Sequence, residues 1–187
     1  MLQELINIFE KANDMFIIND NDLFTTGVSE RTLCGALMLH LHEVSKETRY
    51  RDYHVDVEYN RNKDGKLKTI NKAISGQEYK IIRINCDLIV HSRGQNVLQD
   101  NLITIEMKKS NQSKRDKDSD RERLIALTKE SFDDIWSFDG KTLPKHVCRY
   151  KLGIFYEINY GKKQIILEYY VSGNLYIKKE TNFRIKI

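Results

Sequence analysis

The sequence predicts an α/β fold in one domain. Three observations carry this. Stretches with apolar residues three and four apart exchange with stretches in which apolar and polar residues alternate, the two periods of helix and strand. The chain is 187 residues long, enough to bury a core without disulfides. Hydrophobic residues make up 40% of it and charged residues 31%, with a single proline, the balance of a globular protein. The predicted order is helix, helix, strand or hairpin, two strands, helix, and two or more strands.

Leu2, Leu5, Ile6 and Phe9 recur at helical spacing, so the chain opens with a short amphipathic helix. Residues 13–26 are polar and turn-rich around Met15–Ile18 and Leu23–Phe24, and read as a loop. Ser29 is a suitable N-cap for a second helix running to about Val44, with Leu33, Ala36, Leu37, His40, Leu41 and Val44 on its inner side. Residues 54–60, HVDVEYN, alternate as a strand with one face buried. Asp64 and Gly65 mark a turn leading into Lys66–Ile70, and residues 71–79 read as connection. Two apolar runs follow, Tyr79–His91 and Asn101–Lys109. In the first, Arg83, Asn85, Asp87, Ile89 and His91 share a face; in the second, Leu102, Thr104, Glu106 and Lys108 oppose Ile103, Ile105 and Met107. Residues 110–119 contain almost nothing apolar and read as a surface loop. A helix resumes at Asp120, with Leu124, Ile125, Leu127 and Thr128 inward, and is broken by Gly140 and Pro144. Residues 149–160 and 164–172 read as adjacent strands, and the tail from Asn174 adds another or covers an edge.

Composition narrows the function classes. Cys34, Cys86 and Cys148 are odd in number and widely spaced, which points away from a disulfide framework or a paired-cysteine zinc site and towards a reducing compartment. No apolar run approaches the roughly 20 residues needed to cross a membrane, and the N-terminal segment is mixed in charge, unlike a signal peptide. A cytoplasmic location and no membrane partner are expected. There is no glycine-rich phosphate loop, and His40 and His42, two apart on a helix, face different ways. Net charge is +4, from 31 basic and 27 acidic residues. The local excess matters more. Lys108, Lys109, Lys114, Arg115, Lys117, Arg121 and Arg123 stand against Asp116, Asp118, Asp120 and Glu122, which suits a phosphate backbone or, more plainly, a solvated mixed-charge loop.

The chemistry concentrates on Asp87, Glu106 and Lys108. Burying acids and an amine in a sheet costs several kcal/mol unless they are paired or hold a metal. Carboxylates from two neighbouring strands can hold Mg²⁺, whose remaining positions go to phosphate and water, while a nearby lysine positions the water or stabilises transition-state charge. Glu30, in the first turn of the second helix, either complements the helix dipole or leans over a cleft. His91 is read as a hydrogen-bonded structural residue before a ligand or base.

With these residues in view, the chain resembles the PD-(D/E)XK nuclease superfamily, the restriction-endonuclease-like fold. CDLIVH (86–91) is similar to the strand bearing the motif's aspartate, IEMKK (105–109) to the E-x-K strand, and the helix beginning SER (29–31) to the helix whose glutamate completes the metal shell. A closer likeness is to uncharacterised microbial members, through SER, VDVEYNR, DLIVHSRG, NLITIEMKKSN and DRERLIALT, in order from Ser29 to Thr128. One departure is that Cys86 stands where the family's proline precedes the aspartate.

The resemblance implies a mixed central β-sheet flanked by α-helices, with a core of about 29–170 in a single 1–187 domain and the first helix and last strands as elaborations. It implies that Asp87 and Glu106 ligate Mg²⁺ or Mn²⁺ with the Met107 carbonyl and Glu30, and that Lys108 is the catalytic lysine. Glu58, Asn60, Arg61 and His91 follow as second-tier candidates. Lys109, Lys114, Arg115, Lys117, Arg121 and Arg123 are the candidate nucleic-acid contacts. The expected function is a metal-dependent nuclease hydrolysing DNA phosphodiester bonds, in restriction, repair, recombination or defence. The alternative is a non-catalytic nucleic-acid-binding or protein-interaction module on the same fold. DNA is the first expected partner, with a second copy of the chain or an accessory protein as further ones.

Overall fold

A computed structural model of the chain describes residues 1–59, 69–74, 77–83, 86–96, 98–130 and 148–184. In chain order the elements are α1 (Leu2–Asn19), α2 (Leu23–Thr26), α3 (Glu30–Lys46), β1 (His54–Val57), β2 (Thr69–Ile74), β3 (Gln77–Arg83), β4 (Leu88–His91), β5 (Asn101–Lys109), α4 (Lys114–Thr128), β6 (Leu152–Asn159), β7 (Gln164–Val171) and β8 (Asn174–Asn182). A six-stranded open sheet runs β1-β4-β5-β6-β7-β8, and β2 with β3 forms a separate two-stranded sheet. All neighbours are antiparallel except β5 and β6, which pair in parallel with Glu106 opposite Phe155 and Lys108 opposite Glu157. The fold is thus mixed α/β.

Side-chain alternation on β5 explains the layers. Ile103, Ile105 and Met107 enter the main core with Leu5, Phe9 and Phe16 of α1 and Leu33, Leu37 and Leu41 of α3. On the other side α4 contributes Leu127 to a cluster with Cys86, Ile89, Cys148 and Tyr150, and Leu124 to one with Phe155 and Tyr170. Strand β5 is therefore covered on both faces, and Glu106 is buried with it, at 0% exposure. The side chains of Cys34, Cys86 and Cys148 are buried. Among the described residues no helix is long and apolar enough to cross a membrane.

Several boundaries correct the sequence reading. Helix α1 runs to Asn19, and α2 occupies part of the expected loop. Asn13 is tolerated on the inner face because the Tyr156 hydroxyl donates to its Oδ1 at 2.8 Å. Strand β1 stops at Val57, and Glu58 turns out with φ 53°, a left-handed conformation costing a residue with a Cβ about 1–2 kcal/mol. The expected connection at 71–79 holds the end of β2 and the start of β3. The run 79–91 is two strands in different sheets, not one, so face-sharing across it does not hold. Helix α4 begins at Lys114, inside the expected surface loop, with Ser113 as its cap. Helix α4 ends at Thr128, and the Asp64–Gly65 turn and the break at Gly140 and Pro144 lie outside the described residues.

A candidate metal centre at the end of strand five

Four elements meet where β5 leaves the core. Helix α3 starts there because Ser29 accepts the Thr32 N–H on its side chain at 3.2 Å, which satisfies a first-turn donor and leaves Glu30 at the tip. Glu30 Oε1 accepts the Lys109 backbone N–H at 2.9 Å and Oε2 lies 3.8 Å from Lys108 Nζ. Of the two sequence readings of Glu30, the one that leans over the cleft describes its position. Asp87, just before β4, accepts the Met107 N–H on Oδ2 at 2.8 Å, and the same oxygen is 3.9 Å from Lys108 Nζ. The Lys108 amine also donates to the Met107 carbonyl at 3.3 Å. Glu30, Asp87, Met107 and Lys108 are thereby drawn together by bonds between side chains and the backbone of β5.

Glu106 is placed differently. Its Oε1 meets Arg123 Nη1 of α4 at 2.8 Å, and its buried Oε2 has no hydrogen-bond partner among the described residues. Sequence reasoning put Arg123 at the surface and did not single out Asp120. Asp120 is 4% exposed, with Oδ2 3.0 Å from Lys108 Nζ and Oδ1 3.2 Å from Arg123 Nη2. A signal for it existed: Ser113 and Asp116 have capping-box spacing, and a helix begun there puts Asp120 in line with Leu124 and Leu127 on the inner face.

The electrostatics follow from burial and charge count. Four carboxylates, Glu30, Asp87, Glu106 and Asp120, stand against two cations, Lys108 and Arg123, a formal excess of two negative charges. Burial pushes the Glu106 carboxyl well above its ordinary range, with Arg123 opposing. Burial also raises Asp87, against the Met107 N–H and Lys108. Burial pulls the Lys108 ammonium down, but Asp87, Asp120 and Glu30 outweigh it and hold the group above its usual value.

Glu30 and Asp87 border an open cleft of about 430 Å³ whose walls include Arg31, Cys34, Val57 and Glu58. Arg31 closes one rim by a forked ion pair with Glu58, Nε and Nη2 reaching Oε1 at 2.9 and 2.7 Å. The Glu58 N–H donates to the Asp87 carbonyl at 3.2 Å, so the end of β1 is tied to the acid. His91 stands elsewhere: fully buried, its Nε2 is 2.8 Å from Asp56 Oδ2 and its ring 4.5 Å from that of Tyr59. Asn60 and Arg61 lie outside the described residues.

Of the basic candidates, Lys114 and Arg115 are exposed in the first turn of α4. Lys109 reaches the Gly27 carbonyl at 3.1 Å. Lys117 pairs with Glu157 at 3.3 Å, Arg121 with Glu168 at 2.7 Å, and Arg123 with Glu106. The helix therefore spends half of that positive charge on its own sheet.

The donors suit a hard divalent cation in chemistry, being carboxylate and carbonyl oxygens, and in charge, since the cluster carries an excess of two. Among the described residues, however, no three acid, histidine or cysteine side chains converge at metal-holding distance. The Lys108 ammonium sits at the focus of Glu30, Asp87 and Asp120, and Arg123 separates Asp120 from Glu106. No family model matches the chain, and no curated protein or solved structure matches it either.

Proposed function

We propose that the protein is a Mg²⁺- or Mn²⁺-dependent nuclease acting on DNA phosphodiester bonds. The observation that carries this reading is the meeting of Glu30, Asp87 and Lys108 within 4 Å at the edge of an open cleft, with two further acids behind them. Asp87 and Glu30, with the Met107 carbonyl, would hold the cation, and Glu106 would complete the set on release from Arg123. Once bound there the cation would offset phosphate charge and acidify water. Lys108, partly exposed at 18%, lies within 4 Å of the two cleft acids Glu30 and Asp87, suited to orienting an attacking water or meeting charge that develops on phosphorus. Arg31 at the rim can exchange Glu58 for a phosphate oxygen, and Lys114 and Arg115 can follow a backbone further out. The order from α3 to β6, a helix, main-sheet strands β1, β4 and β5 with the separate β2–β3 pair inserted after β1, a helix and a parallel strand, supports a restriction-endonuclease-like core as the finer description of the fold.

A second reading is supported by the ion pairs themselves. Lys108 and Arg123 already neutralise acids, as they would in a non-catalytic nucleic-acid-binding or protein-interaction module. A cleavage screen over single-stranded, duplex, branched and RNA substrates with Mg²⁺ and Mn²⁺ separates the two. Cleavage that Asp87→Ala abolishes and Lys108→Ala lowers about 10²- to 10⁴-fold is the expected result. Binding without turnover in any metal would establish the second reading.

A further inference from the structure

We propose that Asp120 is the positioning residue of Lys108, holding its ammonium beside Glu30 and Asp87 and so setting the direction from which the amine meets the reacting water. The inference rests on the nuclease reading. Its basis is a chain of alternating charge between α4 and β5: Lys108 to Asp120 at 3.0 Å, Asp120 to Arg123 at 3.2 Å, Arg123 to Glu106 at 2.8 Å. Strand positions 106 and 108 share a face, and helix positions 120 and 123 lie one turn apart, so two residues of α4 each take one charge of the strand.

Three features separate Asp120 from the other two acids on the amine. It is the nearest, at 3.0 Å against 3.8 Å for Glu30 and 3.9 Å for Asp87. Its side chain is the most enclosed, 6% exposed against 25% and 28%, so water screens it least. Both its oxygens face a cation, Oδ2 the Lys108 ammonium and Oδ1 Arg123, as ion pairs by distance, Oδ2 having no partner at hydrogen-bond angles among the described residues, so turning away from one cation lengthens the contact with the other. Glu30 and Asp87 accept backbone N–H groups of β5 and border the cleft, where a ligand competes for them. Asp120 approaches from the helix behind. Lysine has a flexible four-carbon stem, and a short, enclosed aspartate is what fixes the end of such a stem. The division of labour is that the cleft acids face the ligand and Asp120 faces the lysine.

The test has two arms. In ¹⁵N-lysine-labelled protein, the Lys108 ammonium, assigned by its loss in Lys108→Arg, should give a slowly exchanging resonance. In Asp120→Asn that resonance should exchange more than about 10-fold faster. An unchanged resonance would overturn the proposal whether or not the protein is a nuclease. In the cleavage arm, Asp120→Asn should lower kcat about 10- to 100-fold. KM and Mn²⁺ affinity should change less than about twofold, and the loss should vanish in the Lys108→Ala background. An equal loss in both backgrounds, or a loss carried by metal affinity, would show a structural or metal-binding role and overturn positioning. Cleavage of no substrate by the wild type would sink the nuclease reading, while the ammonium resonance still decides whether Asp120 holds the lysine. If Asp120→Asn does not fold, Asp120→Glu keeps the charge and moves it by one carbon. It should lower kcat with metal affinity intact, and wild-type kcat in that variant would overturn the proposal.

Discussion

Replacing Arg123 with methionine tests how much a buried charge pair adds to the apolar contacts of Leu124 and Leu127 in fastening α4 to the sheet. Glu106 has a side chain 1% exposed, and Arg123 is its only ion-pair partner among the described residues. Removing one partner of a buried pair costs about 3–5 kcal/mol where the remaining charge stays desolvated, and Glu106, already pushed above its ordinary range by burial, escapes part of that cost by taking up a proton. Arg123 is itself 25% exposed and water can enter where it was, so the lower end applies, about 3 kcal/mol. For a chain of this size each kcal/mol moves the midpoint by about 2–4 °C, so Tm should fall by about 9 °C. Methionine keeps most of the stem's apolar contact, which isolates the charge. Urea unfolding of wild type, Arg123→Met, Glu106→Gln and the double variant, compared at a common m value, gives the pair its coupling energy. The double variant should lie within about 1 kcal/mol of wild type, since neither charge is then stranded. A cost below about 1 kcal/mol for Arg123→Met, or the same cost in the Glu106→Gln background, would refute this account of how α4 is held.

Other consequences can be checked separately. Burial alone would raise the Asp56 carboxyl, but hydrogen bonds from Arg93 and His91 outweigh it and hold the group below its ordinary value. Glu168 is likewise held below its own by Arg121 and Tyr170 against burial. A carboxyl lowered on folding stabilises fully above its unfolded pKa, about 4, and loses that contribution as pH falls through the folded value. Asp56→Asn should therefore cost about 2 kcal/mol at pH 7 and progressively less below about pH 4, read by urea midpoints. A difference independent of pH would remove the ion pairing from the explanation. A Cβ on Gly153 would lie 2.9 Å from Thr128 Cγ2 and 3.3 Å from Tyr170 Cβ, so Gly153→Ala should lose about 1–3 kcal/mol by prising α4 from β6, and unaltered stability would count against that close approach. Saturating Mn²⁺, at about 100 times its Kd, should add about 2.7 kcal/mol to the wild type and nothing to Asp87→Ala; equal gains would place the metal elsewhere. If Arg31, Lys109, Lys114 and Arg115 reach phosphates, the slope of log affinity on log salt for duplex DNA should be about −4. A slope of about −6 would mean that Lys117, Arg121 and Arg123 also abandon their carboxylates on binding.

What could be read from the sequence depended on whether a segment announces itself through its own residues or through its partners. Helix α3 has a side-chain cap at Ser29 and a regular apolar stripe through Leu33, Leu37 and Leu41, all local signals, and its observed span Glu30–Lys46 follows them closely. Strand β5 alternates cleanly and lies where the alternation puts it. Helix α1 was cut short at a polar residue whose place in the core depends on a tyrosine 143 positions away. The run from Tyr79 to His91 shows why alternation fixes a strand's faces but not its sheet. Period two is a property of one chain, whereas the assignment of β3 to β2 and of β4 to β1 and β5 is made by hydrogen bonds to distant segments.

Helix α4 carries the same lesson into the site. Its first six residues, KRDKDS, have no apolar stripe to find, so they look like a loop to a reading based on hydrophobic periodicity, which starts the helix only at Asp120. It is a helix because its charges find buried partners: Lys117 at Glu157, Arg121 at Glu168, Asp120 at Lys108, Arg123 at Glu106. The cap at Ser113 and Asp116 was the legible local clue. The acids and the lysine of the strand were visible because charges inside an apolar alternation are conspicuous. The aspartate that meets the lysine was not, because a charge among charges attracts no notice until the structure shows which one is buried. A polar helix seated on a buried strand is thus better scanned for i, i+3 pairs of opposite sign than for leucines. That measure finds four pairs, Arg115 with Asp118, Lys117 with Asp120, Asp118 with Arg121 and Asp120 with Arg123, and of these the last is matched in spacing and sign to Lys108 and Glu106 on the strand beneath.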